Sequence, residues 1–210
     1  MTILLLIRHG ENDLVGKQLA GRLPDIHLNT NGQDQALNIA KHLKDTSICE
    51  IHSSPLERAL ETAMPLSGVI NIPIIKNENL IEIDYGEWQG KKLQELYKLQ
   101  KWNNLINNAK SFSFPGGESL EIAQRRCINE IKNILSKKEA EDIVACFTHA
   151  DMIRLSIAHF LRMNLNDYHR LIIHPASISI VNFTNNFPEV LALNFIINKK
   201  NSLKIYFPDK

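Results

Sequence analysis

Apolar residues along this chain fall into two kinds of pattern. Thr2 to Ile7 and Ile143 to Phe147 are short, nearly continuous apolar runs, which predict strands buried on both faces, as in a parallel sheet. Ile48 to Ser53 and Ile72 to Ile75 read as two further short strands. The second pattern is periodic. Ala36, Ile39, Ala40 and Leu43 share one face of a segment from Thr30 to Lys44, and Leu120, Ala123, Cys127, Ile131 and Ile134 form a stripe in another. Both segments predict amphipathic helices. Ser119 suits the N-cap of the second helix, and the first has two options, Asn29 or a Thr30-x-x-Gln33 capping box.

Ser54-Pro55 predicts the start of a helix to about Met64, with the proline in the first turn, where its missing N–H costs nothing. Lys92 to Ile106 reads as one charged helical segment flanked by Trp88 and Trp102, ended by Pro115-Gly116-Gly117. A helix from about Met152 to Leu161 follows the run at Ile143. Ile178 to Phe183 and Val190 to Ile197 are expected as strands, joined by a hairpin across Asn185-Asn186-Phe187-Pro188. Strands alternating with helices imply an α/β fold, a three-layer α/β/α sandwich with a mostly parallel central sheet, in one domain over residues 1–210. Sites in such sheets form beyond the carboxyl ends of the strands. His9 and His149 both stand there.

A chain of 210 residues, 44% hydrophobic, can bury a sizeable core. Twenty-four Lys plus Arg against 23 Asp plus Glu leave a net charge of +1, so no global field draws nucleic acid or an anionic membrane. Cys49, Cys127 and Cys146 are odd in number and have no Cys-x-x-Cys spacing, which argues against a secreted disulfide scaffold. The N-terminal apolar run is too short for a signal-peptide core, and no stretch approaches the ~20 apolar residues of a membrane span. A soluble, cytoplasmic protein is expected.

Several phosphate chemistries are excluded. Gly10 to Gly16-Lys17 resembles a P-loop, but five residues separate the glycines and Gln18 stands where Ser or Thr would bind magnesium. No cysteine has arginine six positions on, and no Asp-x-Asp pair exists. The histidines show neither His-x-His nor His-Glu-x-x-His spacing, so no metal is expected. His27, His42, His52, His159, His169 and His174 read as surface or ordinary core residues.

Arg8-His9-Gly10-Glu11 resembles the signature of the histidine phosphatase superfamily, which includes the cofactor-dependent phosphoglycerate mutases. Such a string arises by chance in roughly one chain per thousand of this length, so its companions decide. The segment from Ser53-Ser54-Pro55 through Arg58 to Ala63 resembles the family's second motif. Leu80 to Gly90 resembles the segment bearing the acid. Pro115-Gly116-Gly117-Glu118-Ser119 and Thr148-His149, followed by Met152-Ile153-Arg154, complete the set in the family's order.

The resemblance implies a phosphoglycerate mutase-like fold and a role for each matching residue. His9 is the nucleophile that becomes phosphohistidine, Arg8, Arg58 and His149 meet the charge of the transferring group, and Glu82 is the acid. Spacing alone does not separate Glu82 from Asp84 and Glu87. Asn12, where relatives have Thr or Ser, either donates to phosphate or caps a turn. Arg22 contacts either the rest of the substrate or a surface carboxylate. Ala150 replaces a usual glycine beside His149, where a backbone N–H would approach phosphate.

Ala20 to Asn29, His149-Ala150-Asp151 and Pro175 to Ser179 resemble a small branch that bears the label phosphomutase, which does not establish mutase activity. The basic and proline-rich insertion of the true mutases has no counterpart in Lys91 to Phe114. Lys91, Lys92, Lys98, Lys101 and Lys110 there read chiefly as a solvated helix face, and secondarily as a site for a second anionic group. Trp88 and Trp102 read as packing residues.

The expectation is therefore a metal-independent, cofactor-free phosphatase acting on a small phosphorylated metabolite, with no nucleic-acid or membrane partner. The sequence is compatible with a homodimer. A phosphoglycerate mutase-type phosphomutase is the second reading, and a catalytically weak phosphoryl-binding module the third.

Overall fold

The computed structural model describes residues 1–184, 187–197 and 206–207. Among the described residues, six strands form one sheet: β1 (Thr2–Arg8), β2 (Ile48–Ser53), β3 (Ile74–Lys76), β4 (Ile143–Thr148), β5 (Ile178–Thr184) and β6 (Phe187–Phe195), in the order β3-β2-β4-β1-β5-β6. The first four are mutually parallel, and β5 and β6 run antiparallel along one edge. The mostly parallel sheet expected from the sequence is present.

Its two faces are separated by the alternation of β1. Ile3, Leu5 and Ile7 pack with α1 (Thr30–Leu43) and α2 (Glu57–Ile70), and Leu4 and Leu6 pack with α5 (Leu120–Leu135) and α6 (Ala150–Phe160). That explains why the run is apolar without a break: both faces are covered. Each of these five side chains is at most 1% exposed, a burial that contributes roughly 2 kcal/mol apiece.

The helix caps resolve an alternative left open above. Asn29, and not a capping box, closes the start of α1, its side chain accepting from the Gly32 N–H. Ser119 does the same for α5, through Ile122.

Other boundaries differ from the pattern reading. α2 begins after Pro55 and runs through Pro65 to Ile70, because Ala59, Ala63 and Leu66 form one buried face that continues past the proline. Packing overrides the missing donor. The segment expected as one helix over Lys92 to Ile106 is two, α3 (Leu93–Leu96) and α4 (Gln100–Asn107), with Leu99 extended between them. In an unbroken helix Trp102 would stand about half a turn from Leu93. The break lets both face the same cavity. Phe187 and Pro188 belong to β6, paired with Thr184 and Phe183; Asn185 and Asn186 of the expected hairpin lie outside the described residues.

Candidate active site

Three adjacent parallel strands bring the site together. Arg8 ends β1 in register with Thr148, which ends β4, so His9 and His149 emerge side by side. Their ring centroids are 5.3 Å apart. On the far side of β4, β2 ends at Ser53 and delivers Ser54 and, on the first turn of α2, Arg58.

The loop after β1 can follow this path only with glycine at position 10. A Cβ there would lie 2.7 Å from the Gly32 carbonyl oxygen, at the start of α1. Close approach fixes His9 instead of leaving it on a free loop: its N–H donates to Thr148, its carbonyl accepts from Ala176, and the Gly10 N–H donates to Thr62 Oγ1.

Hydrogen bonds set the tautomers of both rings. His9 Nδ1 lies 2.7 Å from the Gly10 carbonyl oxygen, which can only accept, so Nδ1 bears the hydrogen and Nε2 keeps its lone pair. His149 Nε2 is 2.7 Å from Ser54 Oγ. That oxygen also accepts from the Leu56 N–H at 3.4 Å, and among the described residues the buried hydroxyl has no acceptor other than Nε2, so it donates there and the ring hydrogen of His149 sits on Nδ1. Nδ1 is buried and has no hydrogen-bond partner. Burial, followed by the charges of Arg8 and Arg58, holds the His9 pKa well below its usual value; burial, then Arg58, lowers that of His149. Both are neutral imidazoles. One presents a lone pair, the other an N–H.

Ser54 lies in the second motif, but its role is not legible in the sequence, because its partner is 95 residues away. We predict that Ser54→Ala folds normally yet loses about tenfold in kcat with a smaller change in KM, and that Ser54→Thr restores activity; steady-state kinetics on an aryl phosphate tests this.

Two arginines complete the inner corner. Arg58 is only 1% exposed. Its Nη2 donates to the Gly21 carbonyl, whereas Nε and Nη1 have no partner. Arg8 Nη1 donates to Ile173 O and its Nε is likewise unpartnered. Desolvation lowers both pKa values, that of Arg8 to about 10, so both stay charged at neutral pH. Buried guanidinium N–H groups without acceptors are costly unless an anion fills the space between them.

Glu82 lines the same cavity, of about 400 Å³. Its Oε1 accepts from the Ile83 N–H at 3.0 Å. Burial, reinforced by the charge of Asp151, pushes its pKa up to about 7 against the opposing pull of Arg58 and Arg8. The rival carboxylates are placed elsewhere: Asp84 Oδ1 accepts from the Gly86 N–H and its other oxygen lies 3.9 Å from Arg22, and neither Asp84 nor Glu87 lines the cavity.

Arg8, His9, Asn12, Arg58, Glu82 and Ala150 all line the cavity, and His149 lies beside His9 just behind it. Asn12 caps a turn, its Oδ1 accepting from the Leu14 N–H, and the residue borders the cavity. Arg22 does not. Its Nε donates to the Glu82 carbonyl and its Nη2 to Glu118 Oε1, which also accepts from Arg126 and from the Asp84 N–H. Of the two readings of Arg22, the structure shows the carboxylate pairing, and the side chain supports the Glu82 segment from outside the cavity lining. Backbones pack tightly there: a Cβ on Gly117 would sit 2.2 Å from the Asp84 carbonyl oxygen.

Sequence reasoning missed other lining residues. Tyr85 donates to Asp151 Oδ2 at 2.6 Å and Arg154 Nη1 to Asp151 Oδ1 at 2.8 Å. All three lie in segments that carry the family resemblance, but only the fold shows that they meet. Tyr168 and His169 come from a turn with no sequence signal. None of the five lysines between 91 and 110 is in the lining, so the solvated-face reading holds for them. Trp88 is buried, and Trp102 forms part of the cavity wall. Among the described residues, no group of three His, Cys, Asp or Glu side chains could hold a metal ion, and no helix is long and apolar enough to cross a membrane.

A mostly parallel sheet with paired histidines and unpaired arginines at its strand ends defines a phosphoryl-handling enzyme of the phosphoglycerate mutase-like fold class. The chain belongs to the histidine phosphatase superfamily (branch 1), whose family profile matches residues 4–196. It is 27% identical over 198 residues to phosphoserine phosphatase 1 of Hydrogenobacter thermophilus, covering 92% of both chains. It is 31% identical over 189 residues to a 2,3-bisphosphoglycerate-dependent phosphoglycerate mutase of Thermoplasma acidophilum, covering 86% of this chain and 87% of the other. A phosphoserine phosphatase from Entamoeba histolytica, solved with 3-phosphoglyceric acid, superposes with a TM-score of 0.81 at 29% identity, over 92% of this chain and 97% of that one.

Proposed function

We propose that the protein is a metal-independent phosphomonoesterase that works through a phosphohistidine on His9. The observation that supports this best is the pairing of a neutral His9 with Nε2 free and two guanidiniums, Arg58 buried and Arg8 partly buried, each with buried N–H that lacks an acceptor. Arg8 and Arg58 hold the phosphoryl oxygens, with the Nδ1–H of His149 and the Ala150 N–H at the start of α6 as further donors. His9 Nε2 attacks phosphorus in line. The P–O bond to the substrate breaks, and Glu82, protonated below about pH 7, gives its proton to the departing oxygen. Glu82 as carboxylate then takes a proton from water as that water attacks the phosphohistidine, releasing phosphate and restoring both residues.

Hydrolysis is preferred to mutase chemistry because a returning alcohol must be gripped, and the lysines of residues 91–110 are not in the cavity. Rapid quenching of a reaction with an aryl phosphate should trap an acid-labile, base-stable phosphoryl group on His9, and turnover should survive chelator. Absence of the adduct under conditions of turnover would overturn the mechanism.

A further inference from the structure

The cavity has two chemically distinct parts. Its inner corner, at the strand ends, holds Arg8, His9, Arg58 and Glu82; the wall contributed by two other segments is mainly apolar, with Val15, Leu19, Leu93, Trp102, Leu105 and Ile106 outnumbering the polar Gln18 and Tyr97. That wall comes from two segments zipped together by backbone hydrogen bonds: Leu19 N–H to Lys91 O, Gly90 N–H to Leu19 O, and Leu93 N–H to Lys17 O. Trp102 stacks on buried Trp88 with centroids 5.9 Å apart, and Tyr97 meets it edge-on at 4.7 Å. The wall is therefore preformed.

Positive charge outside the inner corner is scarce. Arg154 is paired with Asp151 and also donates from Nε to Leu171 O, so the pair adds no net charge. His169 is the other basic side chain in the lining, and it is partly exposed. A second anionic group on the substrate would lose water against the apolar wall and find no unpaired arginine or lysine in the lining there. An apolar group there would displace water favourably.

Building on the phosphatase reading, we infer that the preferred substrates are phosphate monoesters of uncharged, apolar alcohols or phenols. Alcohols that bear their own charge, such as serine or glycerate, are disfavoured. The full chain should be assayed on methyl, butyl, hexyl and naphthyl phosphate beside phosphoserine and 3-phosphoglycerate. We expect kcat/KM to rise about threefold per methylene buried, until the wall is covered, with hexyl and naphthyl phosphate at least tenfold above phosphoserine. Val15→Lys and Ile106→Lys, at half-buried positions that tolerate a long side chain, should flatten the chain-length dependence and shift the ratio toward 3-phosphoglycerate.

A flat series, or preference of the wild type for a charged alcohol, would overturn the inference while leaving the phosphatase reading intact. Failure to hydrolyse any ester would overturn both.

Discussion

Replacing His9 with alanine is expected to lower phosphomonoester hydrolysis by ~10⁴-fold or more, while inorganic phosphate still binds within about tenfold of its wild-type affinity. The asymmetry follows from how the site divides its work. In the proposed mechanism charge recognition rests on Arg8 and Arg58, whose unpartnered N–H groups remain in the variant, whereas the attacking lone pair is that of His9 Nε2. His149 is no substitute. Its Nε2 is engaged by Ser54 and its other nitrogen presents a hydrogen, the wrong polarity for attack. Arg58→Ala should show the opposite pattern, with affinity and rate falling together. Calorimetric titration with phosphate, set beside hydrolysis rates, separates the two effects. Substantial turnover by the His9 variant would mean that water attacks the ester directly and that no covalent adduct lies on the path.

What could be read along the chain was whatever sits within one local segment. β1 and β4 were legible because burial on both faces leaves an unbroken apolar run, and His9 and His149 were legible because each directly follows one of them. Arg58 and Glu82 were found through motif resemblance, and the structure brings both to the cavity. What escaped depends on contacts between distant segments. Arg22 supports Glu82 from 60 residues away. The Ser54 bond to His149 spans β2 and β4, and the Tyr85–Asp151–Arg154 cluster joins an irregular loop to α6. The break at Leu99 was invisible for a related reason: composition favours helix on both sides of it, and the shared cavity that Leu93 and Trp102 line is seen only in the fold. Local pattern locates the elements, but it does not report which faces of them meet.

The second large effect concerns Glu82, and it separates activity from stability. Glu82→Gln retains an acceptor for the Ile83 N–H but cannot deliver a proton, so kcat should fall by ~10²–10⁴-fold on esters with poor leaving groups and much less on an aryl phosphate whose oxygen departs without help. In the wild type, kcat/KM should decline as pH rises through about 7, where free Glu82 loses its proton. That limb should vanish in the variant, whereas any limb caused by ionisation of the substrate would remain.

Stability should move the other way. The folded-state pKa of about 7 lies above the usual 4.5, so between those values the native protein binds more protons than the unfolded chain, and its stability falls as pH rises. The stability lost through this displacement reaches about 3 kcal/mol once pH exceeds 7, and none is lost below about 4.5. Gln avoids ionisation altogether. The variant should thus be more stable than the wild type by up to about 3 kcal/mol at pH 8.5 and no more stable at pH 4.5, a difference that thermal unfolding at the two pH values measures directly. An equal effect of the substitution at both would show that Glu82 is not held protonated by its burial, and the acid would then have to be sought elsewhere in the cavity.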